Sequence, residues 1–94
     1  MSEETVRIDV WLWRARFFKT RGLAARFVED GRVRLTRQSA DELRLDKASR
    51  TVRCGDRLVF AVGGRLVAIA VEGLGERRGP ASEARTLYSE LQNS

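Results

Sequence analysis

Histidine is absent from this 94-residue sequence, cysteine occurs once, at Cys54, and proline once, at Pro80. A single thiol cannot close an internal disulfide, so the cross-links of small secreted scaffolds are excluded and a reducing compartment fits. With no His and one Cys, the usual nitrogen- and sulfur-ligated zinc sites are excluded, together with Ser–His and Cys–His nucleophilic pairs. Nothing near Cys54 in sequence would activate it selectively, so it reads as a passive side chain beside a turn. Long apolar runs are also missing, and no stretch approaches the ~20 apolar residues of a membrane-spanning helix. The first five residues are acidic, and Asp9, Arg14 and Arg16 interrupt the apolar run after them, unlike a secretion signal. The expectation is a cytoplasmic protein with no metal, no cofactor and no membrane partner.

What is abundant is positive charge. Eighteen Lys and Arg residues face 13 Asp and Glu, giving a net charge of +5 and a sequence pI near 10.6. That balance favours a polyanion, with nucleic acid and an anionic membrane surface as the candidates. All but two of the cations (Lys19 and Lys47) are arginine, whose planar fork grips phosphate at two points and stacks on bases. The charge is unevenly spread. Residues 7–37 hold nine basic side chains against Asp9, Glu29 and Asp30, a net +6, whereas residues 38–94 sum to +1. A solvated face needs no such concentration.

Periodicity places this cluster on structure. Residues 8–16 (IDVWLWRAR) read as a short helix with Asp9 in its first turn and Ile8, Leu12 and Ala15 on one face. The next four residues (FFKT) read as a corner. Thr20 suits an N-cap and Gly31 a C-terminal stop, with Leu23, Ala24, Phe27 and Val28 as the apolar stripe between them. Arg32-Val33-Arg34-Leu35 then alternates like a half-buried strand with its arginines on the wet face. Residues 36–46 read as a polar loop holding a brief strand at 43–45, and Cys54-Gly55-Asp56 as a turn. Gly63-Gly64 between two apolar runs predicts a β-hairpin, and Pro80 opens a predicted helix over residues 80–91. One domain over residues 1–94 is expected, with its core over about 7–75, in an α+β class: two short N-terminal helices on a small, mostly antiparallel sheet, plus a C-terminal helix. Trp11, Trp13, Phe17 and Phe18 suit core and core-rim packing better than base stacking, with Trp13 the ring left partly exposed.

The run from Arg7 to Arg21 (RIDVWLWRARFFKTR), followed by Ala24, Gly31-x-Val33, Ser49 and Gly55-Asp56, resembles the S-four RNA-binding domain family. The Trp-Leu-Trp segment and the stretch RRGPASEA at residues 77–84 look like its ribosome-associated heat-shock branch. The resemblance covers residues 6–88. It implies the same two-helix, one-sheet fold and binding to structured ribosomal RNA, especially of stalled large subunits that still carry a nascent chain on tRNA. RNA-contact positions carry over to Arg7, Arg14, Arg16, Lys19, Thr20 and Arg21. Arg26, Arg32 and Arg34 join them from the second helix and the strand. Two departures stand out. Thr36-Arg37 replaces the family's Asn-Gly turn, with a longer path to Ser49, and any ribosome affinity that the branch's long basic C-terminal extension supplies is not expected from these 94 residues.

A monomer without catalysis is the simplest form of this reading. Asp41, Glu42 and Asp46, the one acidic group a nuclease could draw on, lie away from the basic residues in sequence. A different class also fits: an interaction module whose basic face docks an acidic protein, with apolar contact from the hairpin and from Leu87, Tyr88 and Leu91. Arg7 could instead pair with Asp56.

Overall fold

A computed structural model describes residues 4–37 and 41–91. The chain runs β1 (Val6–Arg7), α1 (Ile8–Arg14), α2 (Arg21–Glu29), β2 (Val33–Thr36), β3 (Leu43–Leu45), β4 (Thr51–Val52), β5 (Arg57–Val62), β6 (Arg65–Val71), α3 (Ala81–Ala84), a 3₁₀ turn (Arg85–Leu87) and β7 (Tyr88–Glu90). An antiparallel five-stranded sheet in the order β3-β2-β5-β6-β7 carries the helices, and β1 pairs with β4 beside it. This is the α+β arrangement expected. The brief strand expected at 43–45 is β3, while residues 38–40 of the expected loop fall outside the described residues.

The first helix stops two residues earlier than its apolar pattern suggests. Phe17 N–H donates to the Leu12 carbonyl at 3.0 Å and Arg16 N–H to the Trp13 carbonyl at 3.0 Å, the paired bonds that close a helix with a left-handed residue. Arg16 occupies that left-handed position with φ 66°, where glycine is usual and an L-residue costs roughly 1–2 kcal/mol. The turn drives Phe17 back onto the core, 5.2 Å from the Phe60 ring and 4.9 Å from the Tyr88 ring between centroids. Packing of one ring in a shared aromatic cluster outweighs the local strain.

The second helix is bounded as its sequence predicts. Thr20 Oγ1 accepts from Leu23 N–H at 3.1 Å, and Gly31 follows the last turn at φ 74°. Ala24, Phe27 and Val28 are buried, but Leu23 is 50% exposed, which corrects its placement in the core stripe. At about 100° per residue, Leu23 lies on the flank beyond Phe27 while Ala24 holds the centre of the buried face.

One contiguous core joins Ile8, Trp11 and Leu12 of α1 to Phe27 and Val28 of α2 and to Val33, Leu58, Phe60 and Ile69 of the sheet. Gly63 and Gly64, at φ 59° and 78°, make the tight hairpin turn expected between β5 and β6.

The C-terminal helix expected over residues 80–91 is corrected: helix covers only Ala81–Ala84, and the chain then straightens into β7. The unpaired edge of β6 wins over local helix preference. Leu91 N–H donates to the Ala68 carbonyl at 2.9 Å, while the Leu87 carbonyl accepts from Glu72 N–H at 2.8 Å and Gly73 N–H at 3.1 Å. Leu87 is thereby buried, and a continued helix would leave the Ala68 carbonyl and the Glu72 and Gly73 N–H groups without these partners.

Among the described residues two carboxylates are buried, Asp9 at 3% and Asp56 at 1% exposure, and each is gripped at two points by an arginine. Arg7 holds Asp9 at 3.1 and 3.0 Å, which corrects the Asp56 partner expected for it. Asp56 takes Arg37 instead, at 2.9 and 2.8 Å, and also accepts from Arg53 N–H at 3.0 Å.

Replacing Arg37 by Ala strips the cation from a carboxylate that stays buried. The expected loss is about 2–4 kcal/mol, below the figure for full burial because Arg37 itself is partly exposed. A lowered denaturant midpoint at unchanged m-value checks it. Thr20→Ala removes the α2 cap and is expected to cost about 1 kcal/mol, read as a fall in Tm of roughly 4–8 °C.

Candidate nucleic-acid interface

The basic residues of the first third fall into two groups that sequence alone did not separate. The first group is turned inward to backbone. Trp11 Nε1 donates to the Gly73 carbonyl at 2.8 Å, Arg14 Nη1 to the Gly75 carbonyl at 2.8 Å, and Arg16 Nε to the Gly79 carbonyl at 2.6 Å. These three donors, lying along α1 and its closing turn, fasten residues 73–79 to the helix. Arg14 is half-buried, and its Nε is enclosed without a partner. Arg7 is held by Asp9. Arg14 and Arg7 therefore have structural duties that compete with any ligand, whereas Arg16 is exposed and uses one nitrogen for Gly79.

The second group faces solvent. Lys19, Thr20 and Arg21 are consecutive and exposed at the corner between α1 and α2. Capping by Thr20 fixes the corner, because the oxygen that accepts from Leu23 N–H sets where α2 begins. Arg26 is exposed on α2, Arg32 is exposed just before β2, and Arg34 stands on the wet side of β2, whose alternate residues Val33 and Leu35 are buried. The Arg32 guanidinium lies over the Phe27 ring, 4.9 Å from its centroid, a contact that orients it without neutralising it. Arg34 pairs with Glu42 at 3.0 Å, both side chains well exposed. Such a pair is worth about 0–1 kcal/mol and exchanges readily for a phosphate.

Arg44 was missed by the sequence reading. It faces Arg34 across the β2–β3 ladder and is exposed. The alternation Leu43-Arg44-Leu45 carried the signal, since a strand there sets Arg44 on the outer face. Arg37 was also passed over, and its link to Asp56 appears only in three dimensions.

This exposed set is a hard, multivalent cationic surface on a rigid corner and strand. It offers no paired carboxylates and no nucleophile beside a base. Among the described residues, no group of three or more His, Cys, Asp or Glu could hold a metal ion, and no helix is long and apolar enough to cross a membrane. Its chemistry is recognition of negative charge.

Comparison with known proteins places the chain among relatives of the same design. The family model for the S4 domain matches residues 6–58. The Heat shock protein 15 homolog of Haemophilus influenzae is 38% identical over 94 residues, covering 100% of this chain and 67% of that protein. Heat shock protein 15 of Escherichia coli (strain K12) is 39% identical over 89 residues, covering 95% of this chain and 62% of that protein. The sequence thus spans about two thirds or less of these relatives' length. Among solved structures, the trimeric structure of Vibrio cholerae Heat Shock Protein 15 superposes with a TM-score of 0.79 at 40% identity, covering 94% of this chain and 83% of that one. With its basic corner built on the same frame, the chain belongs to the S4 family of RNA-binding domains, in its heat shock protein 15 branch.

Proposed function

We propose that the chain is a non-catalytic cytoplasmic module that binds structured RNA of the large ribosomal subunit through Arg16, Lys19, Thr20, Arg21, Arg26, Arg32 and Arg34. Arg44 extends that surface, and Arg7 and Arg14 support it from behind. The observation that carries this reading is the exposed basic corner, capped by Thr20, in a member of this family. Phosphates displace counterions from these side chains, and the fixed angle between α1 and α2 selects RNA shape. The deep groove of A-form RNA hides base edges, so the surface reads backbone geometry, 2′-hydroxyls and nearby unpaired bends. The family resemblance extends this reading to stalled large subunits that still hold tRNA with its nascent chain, and the heat-shock names of the relatives support a link to stress. Docking of an acidic protein loses the apolar contact expected from Leu87, Tyr88 and Leu91, since Leu87 is buried and the other two are half-buried.

The trimeric relative counts against the monomer expected from sequence, and a trimer is the assembly we carry over to this chain. Exposed Leu66 on β6 offers an apolar contact for it.

Binding to purified large subunits and to an unrelated structured RNA, across a salt series, tests the reading. Tight binding that prefers the large subunit is expected. If about five phosphates are neutralised, the log–log slope is on the order of −3 to −4. The triple variant Lys19→Ala, Arg21→Ala, Arg34→Ala leaves the α1 struts intact and should flatten the slope by about 2. Equal affinity for both RNAs removes the ribosomal assignment, and no binding at physiological salt removes RNA altogether. Light scattering of the free protein should give three times the chain mass, and a single-chain mass returns the assembly to monomer.

A further inference from the structure

Three large apolar side chains are exposed among the described residues, Leu23, Leu43 and Leu66. Leu23 alone of these lies within the +6 stretch of residues 7–37. It lines a shallow cleft of about 240 Å³ together with Phe18, Arg26, Phe27, Asp30 and Arg32. The Phe18 and Phe27 rings lie 4.9 Å apart at an interplanar angle of 50°. Arg32 covers one face of Phe27, so the apolar surface left open is formed by Leu23 and the half-buried Phe18. The volume falls below the roughly 300–1,000 Å³ of pockets for drug-sized ligands and cofactors. A flat apolar patch with two guanidiniums and one carboxylate at its rim is complementary to a single nucleotide. The base covers the apolar floor, the phosphate takes the guanidiniums, and the carboxylate, which repels phosphate, meets the edge of the base.

We propose that this cleft captures one unstacked nucleotide of the bound RNA, with guanine preferred. A carboxylate is an acceptor at both oxygens. The Watson–Crick edge of guanine presents N1–H and N2–H side by side as donors to both oxygens, whereas adenine offers one donor, N6–H, beside an N1 lone pair that a carboxylate repels. Asp30 is therefore the specificity residue, Leu23 and Phe18 are the platform, and Arg26 and Arg32 hold the flanking phosphate. This rests on the RNA-binding reading above and names the feature of the RNA that the site selects. It also accounts for a leucine kept in solvent on the helix flank.

Three hairpin RNAs, identical except for a single bulged guanine, a single bulged adenine or no bulge, would be titrated with the full chain at fixed salt. The guanine bulge is expected to bind roughly tenfold tighter than the unbulged hairpin, as one base on an apolar platform would give. Leu23→Ala should erase most of that advantage. Asp30→Asn should bring the two bulges together while both stay tighter than the unbulged hairpin. Leu23 and Asp30 are exposed, and Asp30 ends a helix where a negative charge is unfavourable, so both variants should fold, as thermal melts would check. Equal, salt-sensitive binding of all three hairpins overturns the cleft while leaving RNA binding in place. Failure to bind any of them overturns both.

Discussion

Backbone carbonyls in residues 73–79 need donors, and α1 supplies them. A carbonyl taken from water without a partner costs on the order of 1–3 kcal/mol, so the rotational setting of α1 follows from where Gly73, Gly75 and Gly79 lie. Trp11 points inward, Arg14 runs along the rim, and Arg16, held in the left-handed region, reaches Gly79. Once Arg16 is there, Phe17 turns into the core between Phe60 and Tyr88. The corner that follows is then fixed, and Lys19, Thr20 and Arg21 are left on its outside. The same carbonyl contacts secure the segment leading to β7, which closes one edge of the sheet.

Electrostatics divides the arginines by duty. Two buried carboxylates each take a two-pronged arginine, which satisfies the acid and removes that cation from the ligand-facing set. What remains outward is a compact positive surface whose internal pairings, such as Arg34 with Glu42, are weak enough to be given up. A binding module needs this division, because cations locked into the fold fix geometry while loosely held ones exchange partners.

Within the cationic face, Leu23 is the apolar exception. Its exposure is a consequence of helix geometry, since Ala24 and Val28 bring α2 close to its neighbours and rotate Leu23 to the flank. Beside Phe18 and Phe27 it gives the surface a place where charge is not the whole of recognition. Phosphate contacts set register on RNA, and contacts with bases distinguish one RNA from another.

Much of this was legible in the residue order. Alternation along Arg32-Val33-Arg34-Leu35, the Thr20 cap, the Gly31 stop and the Gly63-Gly64 turn are local signals, and each appears where its chemistry predicts. The concentration of arginine between residues 7 and 37 was equally plain. Three things were not legible, because each depends on a partner distant along the chain. Residues 85–90 follow helix-like neighbours, yet turn and form a strand because β6 has an edge to fill. Arg37 looks like any loop arginine until Asp56 is folded beneath it, and Arg14 looks like a ligand contact until Gly75 comes within reach. Sequence by itself determined which segments form helix, strand or turn near the basic cluster, since backbone preference and amphipathic period are properties of neighbouring residues. Tertiary structure alone decided which arginines are committed and which are available, since that depends on hydrogen bonds across some 20 to 60 positions of chain.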